Sequence, residues 1–276
     1  MKDIFTTICI QFRSRFTPKE KFRFLSWVMM HCEKLGYPIT VMNHKSFAEK
    51  TVHVAVGDLE TAHAIVLAGY DTPAACIFPY KYYPLNIKKN QTIQVANHLV
   101  HIVISLLFVL LGLWLVVRLK GLDGIMQKCS LMVVVLFFLF SYFIGKGFAN
   151  RTNYNRNSAA LAIMLDLIRR QIKDTAYIFV DQTCQTWLGY RYLKEDLASM
   201  FSGKKIIALD CVGKGECIYT EQEFPWMMSE KSCLIFSGKK SKNDYVVDQT
   251  GKVDSEIDFE QMERIETMIM QMIQSN

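Results

Sequence analysis

Residues 95–117, VANHLVHIVISLLFVLLGLWLVV, contain no Asp, Glu, Lys or Arg. As a helix they reach about 34 Å, enough to cross the hydrocarbon core of a bilayer. Leu, Val and Phe lie around the whole circumference, so no polar face is left to meet water on a soluble domain. A second run, CSLMVVVLFFLFSYFIG over 129–145, is near the lower length for spanning and lengthens if Phe148 and Ala149 join it. Between them RLKGLDGIMQK, with two glycines and several charges, suits a turn at a membrane surface. The pair predicts an antiparallel transmembrane hairpin with the chain before and after it on one side. Lys81, Lys88, Lys89, Lys146, Arg151 and Arg156 flank its outer ends, against Arg118, Lys120 and Lys128 in the loop. The positive-inside tendency therefore predicts a multi-pass membrane protein with two spans and a cytoplasmic globular part. His98 and His101, three apart on one helix face, are interface histidines before they are a metal pair.

The remainder must supply a folded domain, and a 276-residue chain that is 51% hydrophobic has the material for one. Its net charge of +6 is scattered, with no dense basic run, so nucleic acid is not an expected partner. Eight cysteines (Cys9, Cys32, Cys76, Cys129, Cys184, Cys211, Cys217 and Cys233) form no CxxC pair. Free thiols in a reducing compartment are the simpler reading. The opening MKDIFTTICIQFRSRF is too polar for a secretory leader.

Thr17-Pro18 predicts a helix start, and Phe22, Leu25, Val28, Cys32 and Leu35 follow at helical spacing up to Gly36. Strands are predicted at 39–42, 52–56 and 65–68. Beyond the hairpin, Asn157-Ser158 is a candidate cap for a helix with Leu161, Met164, Leu165 and Ile168 on one face. Strands follow at 176–180, 206–209 and 233–236, then a helix from Asp258 whose methionine-rich face is expected to pack on the sheet. This alternation predicts an α/β fold with a mostly parallel central sheet and helices on both faces, interrupted by the two-helix transmembrane hairpin. The expected organisation is 1–90 as the first half of the domain, 91–150 as the inserted hairpin, and 151–276 as the second half.

Four segments, LAGYDTP, YNRNSAALAIMLDLI, YIFVDQTCQTWLGYRYL and IIALDCVGKGE, followed by DFEQMERIETMIMQMI, stand at the strand ends and helix starts of this order. In them the chain resembles the zinc exopeptidase superfamily of bacterial leucyl aminopeptidase, glutamate carboxypeptidase and glutaminyl cyclase. There a strand ends in His-x-Asp, a helix starts with Asp-Asp-Asn, and later strands end in Asp-Gly-Glu-Glu and Leu-Asp-Met. A final His precedes the last helix. Two zinc ions in such a site need about five His, Asp and Glu ligands, and a Glu as general base.

Carried over residue by residue, the resemblance implies a depleted zinc aminopeptidase-like site. The His position is Gly69, which has no donor atom, while Asp71 matches the carboxylate that would orient that His. The bridging Asp falls on Asn155, and the next position is Arg156, whose guanidinium would oppose metal and could itself fill the cation site. Asp181 persists, but the paired glutamates become Thr183 and Cys184. Asp210 matches a zinc ligand, and register with the last helix puts Asp248 near the final one. Asp71 is expected to be a structural remnant paired with Arg156.

These matches imply a membrane-anchored pseudoenzyme of metallopeptidase fold, with no catalytic residue and no cofactor expected. Its partners would be the lipid bilayer and a peptide or another membrane protein, met by the cleft or the hairpin. The alternative is an active metallopeptidase or hydrolase with zinc rebuilt on Asp210, Cys184 and Cys211, helped by Asp71 and Asp248. Cys76, Cys184 and Cys211 are all expected on converging loops, with small buried thiols as the blander reading. A transporter subunit is the weakest option, because the spans carry no intramembrane carboxylate.

Overall fold

The computed structural model describes residues 1–45, 50–76, 80–118, 124–184, 187–221, 228–241, 244–247 and 254–275. Two helices, α1 (Lys2–Gln11) and α2 (Pro18–Lys34), precede the first strands. The predicted start of α2 is a capping box. Glu20 N donates to Thr17 Oγ1 at 3.3 Å, and Glu20 Oε2 accepts from Thr17 N at 2.9 Å, with Pro18 at the first helical position. Then come β1 (Ile39–Lys45), β2 (Lys50–Val56) and β3 (Ala64–Gly69), and the long apolar helices α3 (Ile87–Arg118) and α4 (Ile125–Lys146).

After a π-turn (Tyr154–Ser158), α5 (Ala159–Arg169), β4 (Thr175–Val180), α6 (Leu188–Phe201) and β5 (Lys205–Asp210) follow. The chain continues through β6 (Cys217–Thr220), β7 (Ser232–Ser237), a small ribbon of β8 (Lys239–Ser241) and β9 (Asp244–Val246), and α7 (Phe259–Gln274).

The sheet order is β1-β2-β4-β3-β5-β7-β6. The four central strands β4, β3, β5 and β7 run parallel, and β2, β1 and β6 are antiparallel at the flanks. The predicted mostly parallel sheet is present, with antiparallel edges added. β3 and β4 are buried along their whole length, as strands covered on both faces must be. Alternate residues feed two cores. Val66, Ala68, Tyr177 and Phe179 pack with α1, α2, α5 and α7, while Ile65, Leu67, Ile178 and Val180 pack with α6. Met262, Ile265 and Ile269 place the methionine-rich face of α7 in the first core, as expected. The opening segment, read from sequence only as an unsuitable leader, is α1, which buries Ile4, Phe5 and Ile8 there.

β3 lies between β4 and β5, so the chain turns to one side of β3 and then to the other. This topological switch leaves a crevice at the carboxyl end of β3, where Gly69 and Asp71 stand. Strands on both sides of α3 and α4 share this sheet.

Both α3 and α4 are long and apolar enough to cross a membrane. They are not core helices: Leu107, Leu110, Leu131, Leu136, Phe140 and Phe143 are exposed. The two helices pack through small groups. Ser105 and Ser141 exchange hydroxyl-to-carbonyl hydrogen bonds at 2.9 Å, and Gly112 lies against Phe137 and Phe138. α4 begins at Ile125, four residues before the apolar run, directly after Gly124.

Candidate functional site

At the end of β3, Asp71 is buried and fully engaged. Its Oδ1 accepts from Thr183 N at 2.9 Å and Thr183 Oγ1 at 2.6 Å, and its Oδ2 accepts from Cys184 N at 3.0 Å. The carboxylate thus pins the loop after β4 against β3. A Cβ on Gly69 would lie 2.1 Å from Thr183 Oγ1. The space for a metal-ligating side chain at position 69 is filled by Thr183.

The neighbouring cluster is built on Arg156. Its Nη1 lies 3.2 Å from Asp210 Oδ1 and 3.5 Å from Oδ2, and its guanidinium sits 3.4 Å from the centre of the Tyr82 ring. Tyr82 donates its hydroxyl to Asp210 Oδ2 at 2.5 Å, and Cys211 Sγ accepts from Arg156 Nη1 at 3.6 Å. All four side chains are buried. Burial works against the Arg156 charge, but the Asp210 carboxylate and Tyr82 outweigh it and hold Arg156 well above its ordinary pKa. The expected Asp71–Arg156 pair does not form: Arg156 reaches instead to the end of β5, where Asp210 offers a second anchor.

The helix start that carries Asn155 and Arg156 is not capped by Asn157 or Ser158. Asp254 does this, accepting Asn155 N at 3.0 Å and Arg156 N at 2.8 Å. Ser158 Oγ donates to Asn153 Oδ1 at 2.8 Å and accepts from the buried Arg15 Nη2 at 3.2 Å. The turn that carries Arg156 is π-helical. Burial pushes the Asp254 carboxyl up to about 6 against the opposing pull of those amides and of Arg156. Asn155 Oδ1 accepts Gly213 N at 2.7 Å and Lys214 N at 3.2 Å, so this amide ties the loop after β5.

Asp181 forms a 2.6 Å ion pair with Lys21 of α2 and accepts Val52 N at 3.3 Å. It is spent on holding α2 and β2. Cys184 and Cys211 do converge around Arg156 and Asn157, with Asn157 Nδ2 donating to Cys184 Sγ at 3.2 Å. Burial, with Asp71 close by, pushes the Cys184 thiol up to about 12, and burial raises Cys211 well above the ordinary thiol value. Both are protonated and weakly nucleophilic. Cys76 stands apart and meets Cys184 only across a cavity at the foot of α3. Asp248 lies outside the described residues. His98 is exposed and His101 buried.

Zinc does not fit these residues. Asp210 already serves Arg156 and Tyr82, a cation occupies the adjacent space, and Thr183 blocks position 69. Among the described residues, no three His, Cys, Asp or Glu side chains stand together as a metal site. Sequence reading missed Tyr82 and Asp254. The Asp254 signal was weak, an acid four residues ahead of the Asp258 helix cap.

No family model and no curated protein matches the sequence. Solved glutaminyl cyclases are similar to this chain. The glutaminyl cyclase of an Acidobacteriales bacterium superposes with a TM-score of 0.51 at 10% identity, over 99% of this chain and 93% of that one. A Porphyromonas gingivalis glutaminyl cyclase gives 0.46 at 11% identity over 79% and 64%, and the Fimbriiglobus ruber enzyme 0.42 at 12% over 76% and 60%. The chain therefore spans less than two thirds of the length of these last two. The Acidobacteriales likeness is one of fold, and it agrees with the fold that the strand-end segments imply.

Proposed function

We propose that this chain is a membrane-anchored, non-catalytic relative of the zinc exopeptidases, in which a guanidinium has taken the place of the metal. The observation that carries the reading is the buried Arg156 paired with Asp210 and lying on the Tyr82 ring. A fixed organic cation with its own counter-ion needs no metal, and the Asp210 carboxylate is already taken by Arg156 and Tyr82. No residue matches the general base, because Thr183 and Cys184 stand at the paired glutamate positions.

In this reading residues 1–90 and 151–276 form one cytoplasmic α/β domain, and 91–150 is a two-span insert that anchors it. The retained cleft and the membrane-proximal face bind a peptide or another membrane protein, with no cofactor. Carbonate-resistant flotation with liposomes tests the anchor. Aminopeptidase and glutaminyl cyclase assays on the purified full chain with added zinc test the chemistry. The expected result is flotation without turnover. Turnover abolished by Asp210→Ala would establish instead the alternative, a metal site rebuilt around Asp210, Cys184 and Cys211.

A further inference from the structure

Outside α3 and α4, the most exposed large apolar side chains among the described residues are Ile10 and Phe22, at 70%, and Phe148, at 53%. They are far apart in sequence but share one end of the domain. Arg169, at the far end of α5, reaches Asp3 at 3.3 Å, whereas Asn153, just before the π-turn, donates to Arg13 O at 3.0 Å. α1 therefore runs beside α5 and carries Ile10 toward the carboxyl edge of the sheet. The first turn of α2 lies at the same edge: Lys21 pairs with Asp181 beyond β4, and Phe16 lines the cavity at the foot of α3 with Pro73. Phe148 follows α4 by two residues, and its carbonyl accepts Ala75 N at 2.7 Å in the loop after β3.

Arg13, Lys19 and Arg151 stand exposed among these apolar groups. Asn153 Nδ2 donates to Asn150 O at 3.3 Å as well as to Arg13 O, which holds the Arg13 and Arg151 segments together. Residues 4–19, 72–122 and 124–165 contain no Asp or Glu. The carboxylates that reach this edge from elsewhere are committed: Asp71, Asp181, Asp210 and Asp254 are buried, and Glu20 closes the capping box of α2. On the α1–α2 side of the hairpin root, the described surface is thus positive and studded with apolar groups.

That composition suits the headgroup layer of a bilayer, where apolar side chains enter the acyl boundary and cations meet phosphate and carboxylate. An apolar protein partner would leave the three cations unanswered. Position favours lipid over an acidic protein, because Phe148 and Arg151 lie two and five residues beyond a helix long and apolar enough to cross a membrane. The potential of an anionic surface decays over about 10 Å at 0.1 M salt, so cations at the hairpin root are the ones placed to feel it.

We infer that Arg13, Lys19 and Arg151, with Ile10, Phe22 and Phe148 between them, dock the domain on an anionic lipid surface and fix its carboxyl edge against the bilayer. The inference rests on the membrane placement of α3 and α4, though not on the loss of metal.

The test uses the full chain with p-benzoylphenylalanine in place of Phe22, reconstituted in phosphatidylcholine vesicles with or without phosphatidylserine. Flotation is scored first. Irradiation is expected to give about five times more lipid adduct when phosphatidylserine is present, and about 0.5 M NaCl should abolish the difference. Arg13→Gln, Lys19→Gln and Arg151→Gln together should bring the adduct down to the phosphatidylcholine level. The same probe in place of the exposed Lys173, just before β4 at the opposite edge of the sheet, should give none in either vesicle. Ile10 takes the probe if the Phe22 protein does not fold. Equal adducts in the two vesicles, or adducts unchanged in the triple variant, would overturn the inference. So would adducts to a second copy of the chain in place of lipid. These results in a protein that floats leave the anchor standing, whereas failure to float would overturn the anchor and the docking with it.

Discussion

Thr183 occupies the volume that any side chain at Gly69 would need: a Cβ there would lie 2.1 Å from Thr183 Oγ1, itself held 2.6 Å from Asp71. Asp71, just beyond β3, thus holds the loop that follows β4. Gly69→Ala should cost about 2 to 3 kcal/mol through overpacking. In a Thr183→Gly background the same substitution should cost much less. Chemical denaturation of the four proteins of this cycle measures the coupling, and additive effects would mean that the contact carries no strain.

Arg156 and Asp210 form the ion pair at the centre of the site. Arg156→Met leaves a buried carboxylate facing Tyr82 without its cation, and a loss of about 3 to 5 kcal/mol is expected. Adding Asp210→Leu removes the stranded charge and should recover a good part of that loss. Thermal melting of single and double variants reads this, and a double variant no more stable than Arg156→Met alone would contradict it.

Asp254 links the site to pH. Its carboxyl rises from 3.8 to about 6 on folding, mainly through burial. Between these values the folded chain keeps a proton that the unfolded chain has released, so stability falls as pH rises through that window and is flat above it. The shift corresponds to roughly 3 kcal/mol. Asp254→Asn should remove this slope. Burial lowers His53 to about 4, which acts in the opposite direction over an overlapping range, so the difference between wild type and variant is the quantity to read.

The thiols give a chemical readout. Cys184 and Cys211 are buried and held protonated, whereas Cys217 is exposed. Iodoacetamide at pH 8 should label Cys217 in the folded protein and leave Cys184 and Cys211 unmodified until it is denatured. Rapid alkylation of Cys184 would revive a thiol active site.

Local signals explain what was readable in the sequence. The Thr17–Glu20 box, the 65–68 strand and the two apolar helices depend on neighbours in the chain, and periodicity reports neighbours. Arg156 was found as a residue, but its partner was not. Asp71 and Asp210 stand after β3 and at the end of β5, and only the three-dimensional placement of Arg156 beside Asp210 decides between them. Tyr82 lies in an irregular loop and reaches Asp210 across 128 positions, a separation that no pattern encodes. The antiparallel edges escaped for a related reason. Residues 217–220 are half exposed, and β6 exists because β7 offers it an unpaired edge.

In the function proposed, the Arg156 guanidinium takes the place of a metal ion beside Asp210. Elemental analysis of the detergent-purified full chain, equilibrated with zinc and then desalted, tests it most directly when run beside Asp210→Ala. Zinc is expected to stay well below one equivalent and to be the same in both proteins. About one equivalent or more in the wild type, lost in the variant, would contradict it and make the site a metal centre.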